Sequence, residues 1–458
     1  MPHTSATIAW QAYKPDAQSP WNRQRVVHLH RRAAFAATWE EIERDLAEGP
    51  QAAVDRLLSG TARSQSTPVD FELMSQTIGE AAQASNNVDR LQAWWLYRML
   101  LSPDPLGERL SLLWHNHFAT SNRKVQNLAF MHQQNELFHK HARAGFGELL
   151  AAVVKHPAML VWLDADSNRR GHANENLARE LLELFTLGIG NYTEQDVKEA
   201  ARALTGWTVA EGAFRFVAER YDDGEKQLLG EHGRFAGEDL LRLLLDHPAT
   251  SRRIAWRICG LFFAEGVVDD RAIDELAGGL RERHLDVGWA VQTVLQSTRF
   301  FAKENLRTRV VGPVEFAVGT LHALALGKPP PSTLLLADWT SRMGQDLFNP
   351  PNVGGWSEGR AWLGSRSIVA RANFAAALVE RRLWTSAIAP EPRNAIPLTH
   401  HGGDLKKTIG AFAELLWGEV LPSVVEECLA EIKDVKEPDA RLSASLYWLL
   451  AHPESLLG

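Results

Sequence analysis

Apolar residues recur every three or four positions along most of this chain, and that spacing predicts α-helices. Between Arg23 and Leu58, the residues Val26, Leu29, Phe35, Ile42, Leu46, Val54 and Leu57 fall at helical intervals, with Thr38 as the N-cap of WEEIERDL. Two or three short helices are expected there. The stretch GTARSQSTPV at 60–69 is polar and carries a proline, which marks a loop. Gln92–Leu101 and Pro105–Phe118 hold Leu and Trp at spacings of three and four, the pattern of helices buried on more than one side. Three helices end or restart at His-Pro pairs, at His156, His247 and His452. Proline suits a first helical turn because its missing N–H has no partner there anyway, so these histidines read as turn residues.

One segment departs from this period. Ala213–Gly230 alternates Phe214 and Phe216 with charged residues and then runs through Asp223-Gly224, a favoured two-residue hairpin turn. The expected fold is therefore all-α with one small β-hairpin near residues 213–230. The Pro/Gly-rich stretch Pro390–Asp404 separates a main helical body, 1–390, from C-terminal helices at 391–458 packed on it. The motif-rich centre of the body is 91–230. No fixed-period repeat is present, which weighs against a solenoid.

Composition narrows the class. With 458 residues, 45% hydrophobic and 23% charged, the chain has the make-up of a folded globular protein. A net charge of −7 provides no basic field, so general nucleic-acid binding is not expected. The two cysteines, Cys259 and Cys428, lie in apolar helical stretches and support neither a disulfide framework nor a thiolate metal cluster. Met1–Arg32 lacks the apolar core of a signal peptide, and no window reaches the ~18 apolar residues of a membrane span. The cytoplasm is the default location, and no membrane span is expected.

Three segments carry candidate chemistry. The densest is NENLARELLELFTLGIGNYTEQDVKEAARALTGW at 174–207, which reads as two helices around a tight turn. At about 100° per residue, Leu177, Leu181, Leu182, Leu184 and Phe185 share one arc, while Asn176, Arg179, Glu180 and Glu183 share the other. The polar stripe reads either as a solvated face laced by i,i+4 pairs or as the wall of a site. Arg179 is expected to be buried and paired with Glu175, Glu183 or Asp196. In the second helix Thr193 is the N-cap, with Asp196 at N3 in a near relative of the capping box.

The second segment is Trp114-His115-Asn116-His117-Phe118. On a helix the two imidazoles point roughly 200° apart, and they converge only if the helix ends at Asn116. Together with Glu180 and Glu183 they form a donor set suited to Zn²⁺, Fe²⁺ or Mn²⁺, so a divalent metal is the candidate cofactor; hydrogen-bonded structural histidines are the alternative. The third is FNPPNVGGWSEGRAW at 348–362, a rigid irregular loop around Trp356. No phosphate-binding glycine loop and no Gly-x-Ser-x-Gly elbow occurs.

Taken in order, RVVHLHRRAAF, WWLYRML, RLSLLWHNHFATS, HPAMLVWLD, the 174–207 motif, DDGEKQLLG and FNPPNVGGWSEGRAW resemble the bacterial family known as domain of unknown function 1800. The resemblance runs from about Trp21 to the C-terminal helices, and Trp94-Trp95 with SNRKVQN is similar to versions in planctomycete-type bacteria. It implies a mostly helical fold and carries no established activity. Genes of this family often neighbour those of domain of unknown function 1501, whose members look like a sulfatase or phosphatase fold; this implies a partner or shared pathway. Many relatives are exported, unlike the default given by the amino terminus here. The family's usual His-Asp before the hairpin turn reads Tyr221-Asp222 in this chain, while Asp222, Gly224 and Lys226 match.

The resemblance favours an internal polar stripe. The site candidates are Arg179, Glu180 and Glu183 as catalytic groups and His115, His117, Glu180 and Glu183 as metal ligands. Asn174, Asn176, Asp164, Asp196, Trp207, Asp222, Lys226 and Trp356 are further pocket candidates. Two readings stand: an enzyme with a polar pocket built from the WHNHF and NENLARELLELF segments, possessing or lacking a divalent metal, and a non-catalytic accessory protein acting with a domain of unknown function 1501 protein.

Overall fold

A computed structural model describes residues 8–385, 389–397, 400 and 402–458; part of the break at 390–404 lies outside the described residues. Among the described residues are 22 α-helices and four short strands, so the mainly helical reading holds. None of these helices is long and apolar enough to cross a membrane.

The first helices form as their caps and apolar spacing require. Arg23–Ala33, Trp39–Glu48 and Pro50–Leu58 are three separate helices, and Thr38 closes a reciprocal capping box with Glu41. Val88–Leu101 and Pro105–His117 are buried on nearly every face, with Trp94, Trp95 and Trp114 almost inaccessible to solvent.

Two apolar clusters fill the interior. One gathers Trp114, Phe118, Phe146 and Phe185 with helices running to Phe301. The other gathers Trp94, Trp95, Phe316, Phe374 and Trp417, joining the 71–101 region to the C-terminal half. Pro105–His117 contributes to both, Leu110 and Trp114 to the first and Leu112 to the second. The helix carrying the HNH segment is thus the wall between the two cores.

The β-structure is more than the single hairpin expected. β1 (Trp207–Ala210) pairs antiparallel with β2 (Ala213–Phe216), and β3 (Lys226–Leu228) with β4 (Glu231–Gly233). Their turns fall at Glu211-Gly212 and Leu229-Gly230, where all four residues have positive φ, the requirement of a tight primed turn. Asp223-Gly224 is not a hairpin turn. The neighbouring Asp222 carboxylate accepts the Gly224 N–H at 3.0 Å and pairs with Arg202 at 2.9 Å, folding this stretch into a local loop between the two hairpins.

At each His-Pro pair the imidazole itself is the cap. Nδ1 of His156, His247 and His452 accepts the backbone N–H two residues on, at 3.2, 3.1 and 3.2 Å. An accepting Nδ1 must be unprotonated, so these caps exist only in the neutral ring. Burial pushes His156 down to about 4. Its folded value lies below its unfolded value of about 6.5, so the contribution is full above pH ~6.5 and is lost as the pH falls towards 4. Urea denaturation across this window should show stability falling with acid. His156→Asn keeps a capping acceptor, and its slope should be shallower by up to about 1.4 kcal/mol per pH unit; an unchanged slope would show that His156 does not titrate there.

Candidate functional site

The HNH helix places its two imidazoles in different cores. His115 is buried among Trp95, Phe348, Trp356 and Phe138, with ring centroids 5.2, 5.4, 5.4 and 6.0 Å away. Burial pushes it down to about 3, so the ring is neutral, and its Nε2 has no hydrogen-bond partner among the described residues. His117 lies with Phe118, Phe146 and Phe185 and donates from Nε2 to the Phe185 carbonyl at 3.1 Å. Burial, reinforced by Arg257 and Arg253, holds it well below the usual histidine range. The helix runs through His117, so the angular offset of the pair is kept.

Among the described residues no group of three or more His, Cys, Asp or Glu side chains is arranged to hold a metal ion. The four-ligand set of His115, His117, Glu180 and Glu183 therefore does not form. Each imidazole is enclosed by aromatic rings on its own side of the helix, and that enclosure is the physical reason.

Three of the motifs do meet. Lys124, on the short helix Asn122–Val125, donates to Asp164 at 2.7 Å and to the Trp162 carbonyl at 2.7 Å. The Asn176 amide reaches the same Asp164 oxygen at 3.1 Å. Asp164 sits in the left-handed region with φ 57°, a conformation that short polar side chains tolerate best. Asn174 starts the next helix by accepting the Asn176 N–H at 2.9 Å, and it donates to Ser167 at 2.6 Å. Asn174, Asn176 and Asp164 thus share one network. Lys124, inside SNRKVQN, completes it; its position between two asparagine-flanked caps was the available signal, and the sequence reading did not single it out.

From Asn176 the polar stripe continues along the helix, α-helical at Asn176–Glu180 and π-helical at Leu181–Thr186. The extra residue in a π-turn shifts the face on which later side chains emerge, and such turns recur at functional sites. Leu177, Leu181, Leu182 and Phe185 are buried as expected, while Leu184 is half-buried. Glu183 accepts from the Tyr192 hydroxyl at 2.7 Å, and Arg253 donates to the Leu184 carbonyl at 3.2 Å. Glu180 is half-buried and has no hydrogen-bond partner among the described residues. Burial, with repulsion from Glu183, raises its pKa above the usual carboxylate value, and Arg179 opposes this only weakly.

Arg179 corrects an expectation. It is paired with Glu175 at 2.9 Å and with Glu194 at 2.8 Å, but its side chain is 33% exposed, so it bridges two helices at the surface. Such a bridge is worth little and needs no desolvation.

Beyond the stripe, Leu187, Ile189, Asn191, Arg252, Arg253 and Trp256, among others, line a cavity of about 770 Å³. The indole of Trp256 is 46% exposed there.

The Trp356 loop braces the HNH helix. Asn116 Oδ1 accepts the Trp356 N–H at 2.7 Å, its Nδ2 donates to Glu358 at 2.6 Å, and the Phe348 carbonyl accepts from Asn122 at 2.8 Å. Trp356 is buried against His115. Four other candidates serve the hairpin region instead. Asp196 caps its helix and accepts the Leu229 N–H at 2.7 Å. Trp207 is buried on β1, where a Cβ on Gly237 would come within 2.1 Å of its ring. Asp222 pairs with Arg202, and buried Lys226 donates to the carbonyls of Asp222 and Gly224 at 2.6 and 2.9 Å.

The protein these features define is a helical one whose motifs supply a polar stripe and a loop that braces the HNH helix. Residues 28–457 match the family of proteins of unknown function DUF1800, and the chain belongs to it. No curated protein and no solved structure matches the chain.

Gly355 shows how tight the brace is. Its φ is +83°, and a Cβ there would lie 2.1 Å from Asn116 Oδ1 and 2.6 Å from the Asn116 carbonyl. Gly355→Ala should destabilise the fold by about 2–4 kcal/mol, combining left-handed strain with overpacking. Urea denaturation measures this directly, and a loss below about 0.5 kcal/mol would mean that the loop does not depend on that close approach.

Proposed function

We propose that this chain is an enzyme that works by general acid–base catalysis on a neutral, hydroxyl-bearing substrate, with Glu180 as the group that carries the proton. The observation behind this is the state of Glu180: half-buried, without a hydrogen-bond partner among the described residues, and raised in pKa by burial and by Glu183. A carboxyl whose pKa is raised holds its proton to higher pH than an ordinary carboxylate and can release it to a leaving oxygen. Glu183, oriented by Tyr192, supplies the second carboxylate.

Substrate class follows from the surroundings. Asp164, Glu180 and Glu183 along the stripe disfavour a polyanion, while Asn176 and Lys124 add donors. The cavity beyond the stripe offers polar contacts from Asn191 and from Arg253, whose guanidinium lies over the Trp256 ring at 5.0 Å. Proton transfer is assigned to Glu180 itself because the candidate metal ligands do not converge.

A panel of chromogenic glycosides and esters tests this. The wild-type protein should turn over at least one class. Glu180→Gln, nearly identical in shape, should lower kcat about 10²–10⁴-fold with an unchanged thermal midpoint. Glu183→Gln removes a repelling charge, lowers the pKa of Glu180 and should shift the alkaline limb of the kcat profile to lower pH. Equal turnover by wild type and Glu180→Gln would defeat the proposal.

A second reading, an accessory protein acting with a domain of unknown function 1501 partner, is favoured by Ile189. This apolar residue is 81% exposed on a turn between Gly188 and Gly190 at the rim of the cavity. Here Ile189→Asp should abolish co-purification with that partner at an unchanged thermal midpoint, whereas co-purification equal to wild type would remove the support for this reading.

A further inference from the structure

The turn that follows Glu180 is wound wide, and side chains from remote helices occupy the atoms that a tighter turn would use. The Leu182 carbonyl collects the amides of both Leu187 and Gly188, five and six residues further on, at 2.9 and 3.1 Å. In an α-turn those amides would go to the carbonyls of Glu183 and Leu184, four residues back, and the amide of Ile189 would go to Phe185. Two of these carbonyls are already engaged. Nε2 of His117, at the end of Pro105–His117, donates to the Phe185 carbonyl at 3.1 Å. Arg253, on the helix Pro248–Phe262, donates to the Leu184 carbonyl from Nε and Nη2 at 3.3 and 3.2 Å. Each donor competes with the α-register at the atom where that register would form. Other carbonyls of the turn are served locally, Leu181 by the Thr186 hydroxyl at 2.6 Å and Leu187 by the Asn191 amide at 3.0 Å.

Arg253 differs from these donors in carrying a charge, which makes the stronger hydrogen bond, and in bringing two nitrogens to one oxygen. Its guanidinium is half-buried, makes no ion pair among the described residues, and lies over the Trp256 ring at 5.0 Å. The adjacent Arg252, by contrast, is paired with Asp270 and Asp274 at 2.5 and 2.7 Å. Burial and repulsion from Arg257 lower the pKa of Arg253, and Glu183 is the acid whose charge opposes them. A half-buried charge without a paired acid is a costly way to satisfy one carbonyl, and that cost points to a role beyond capping.

The role follows from the winding. A turn closed by i→i+5 bonds holds more residues than an α-turn, so a side chain within it emerges further around the axis. Glu180 precedes the wide turn, whereas Glu183 lies inside it and accepts from the Tyr192 hydroxyl at 2.7 Å. Residues three apart in an α-helix are neighbours on one face. The wide turn carries Glu183 off the face of Glu180. We propose that Arg253 is a positioning residue for this pair: by occupying the Leu184 carbonyl it keeps the turn wide and directs Glu183 towards Tyr192. This role rests on the reading of Glu180 and Glu183 as the reacting carboxyls, and it adds the residue that fixes their relative placement.

Arg253→Met and Arg253→Lys in the full chain test it. Crystal structures read the register without any need for turnover. In Arg253→Met the Gly188 amide should move to the Leu184 carbonyl and the Leu187 amide to that of Glu183, with Glu183 beyond hydrogen-bond distance of Tyr192. Arg253→Lys, which keeps a charged donor, should keep the wide turn. On substrates that the wild type turns over, Arg253→Met should lower kcat about 10²-fold, the consequence of displacing a reacting group by about an ångström, and Arg253→Lys should recover most of it. Trp256→Leu guards against loss of the fold in Arg253→Met. It removes, at an exposed position, the ring beneath the guanidinium, and hydrogen exchange of the Leu187 and Gly188 amides should quicken about 2–5-fold, the share of one exposed cation–π contact. An unchanged turn in Arg253→Met, an effect confined to KM, or wild-type exchange in Trp256→Leu overturns the proposal. Absence of turnover by the wild type would count against Glu180 as the acid and leave the register and exchange measurements to decide the part of Arg253.

Discussion

Glu315 is the constraint on which the arrangement of this chain turns. Its carboxylate joins Arg109 of the HNH helix to Arg309, and Arg109 in turn donates to the carbonyl of Arg32. Arg31, next to it, reaches the carbonyls of Leu416 and Leu457 near the carboxyl end. Segments separated by hundreds of residues therefore meet around one acid. The attraction is strong because the pair is shielded from water, and removal of either partner would strand a buried charge. The surroundings hold Glu315 ionised, far below the usual carboxylate range.

From this anchor the HNH helix is aimed. With Arg109 fixed, the end of the helix presents Asn116 to the Trp356 loop and His117 to the carbonyl of Phe185. The second contact ties the helix to the π-turn that follows Glu180. The Lys124–Asp164–Asn176 chain makes the other tie, at the start of the same stripe. Glu180 thus lies between two fixed points and keeps a half-buried position without a hydrogen-bond partner among the described residues. A carboxylate left so in a rigid frame keeps its altered proton affinity, the property on which acid–base chemistry depends.

The histidines show how a residue type misleads when its direction is unknown. His115 and His117 invite a metal, yet each spends its ring on packing, one against Trp95 and Trp356 and the other beneath Phe185. The three His-Pro histidines, read only as turn residues, use their rings as helix caps. Arg179 reverses in the same way, since an i,i+4 partner and Glu194 suffice to hold it at the surface.

What the sequence determined by itself was local: helix periods, the N-caps at Thr38 and Thr193, the inward face of Leu177, Leu181, Leu182 and Phe185, and the family motifs. These depend on neighbours within a turn or two, which spacing records. Only the tertiary structure decided that Lys124 meets Asp164, that Gly355 abuts Asn116, that the strands turn at Glu211-Gly212 and Leu229-Gly230, and that Arg109 and Arg309 meet on Glu315. Each of those outcomes depends on which surfaces pack across long separations in the chain. A carboxylate or a guanidinium has the same identity at the surface and in the core, and burial alone gives it its chemistry.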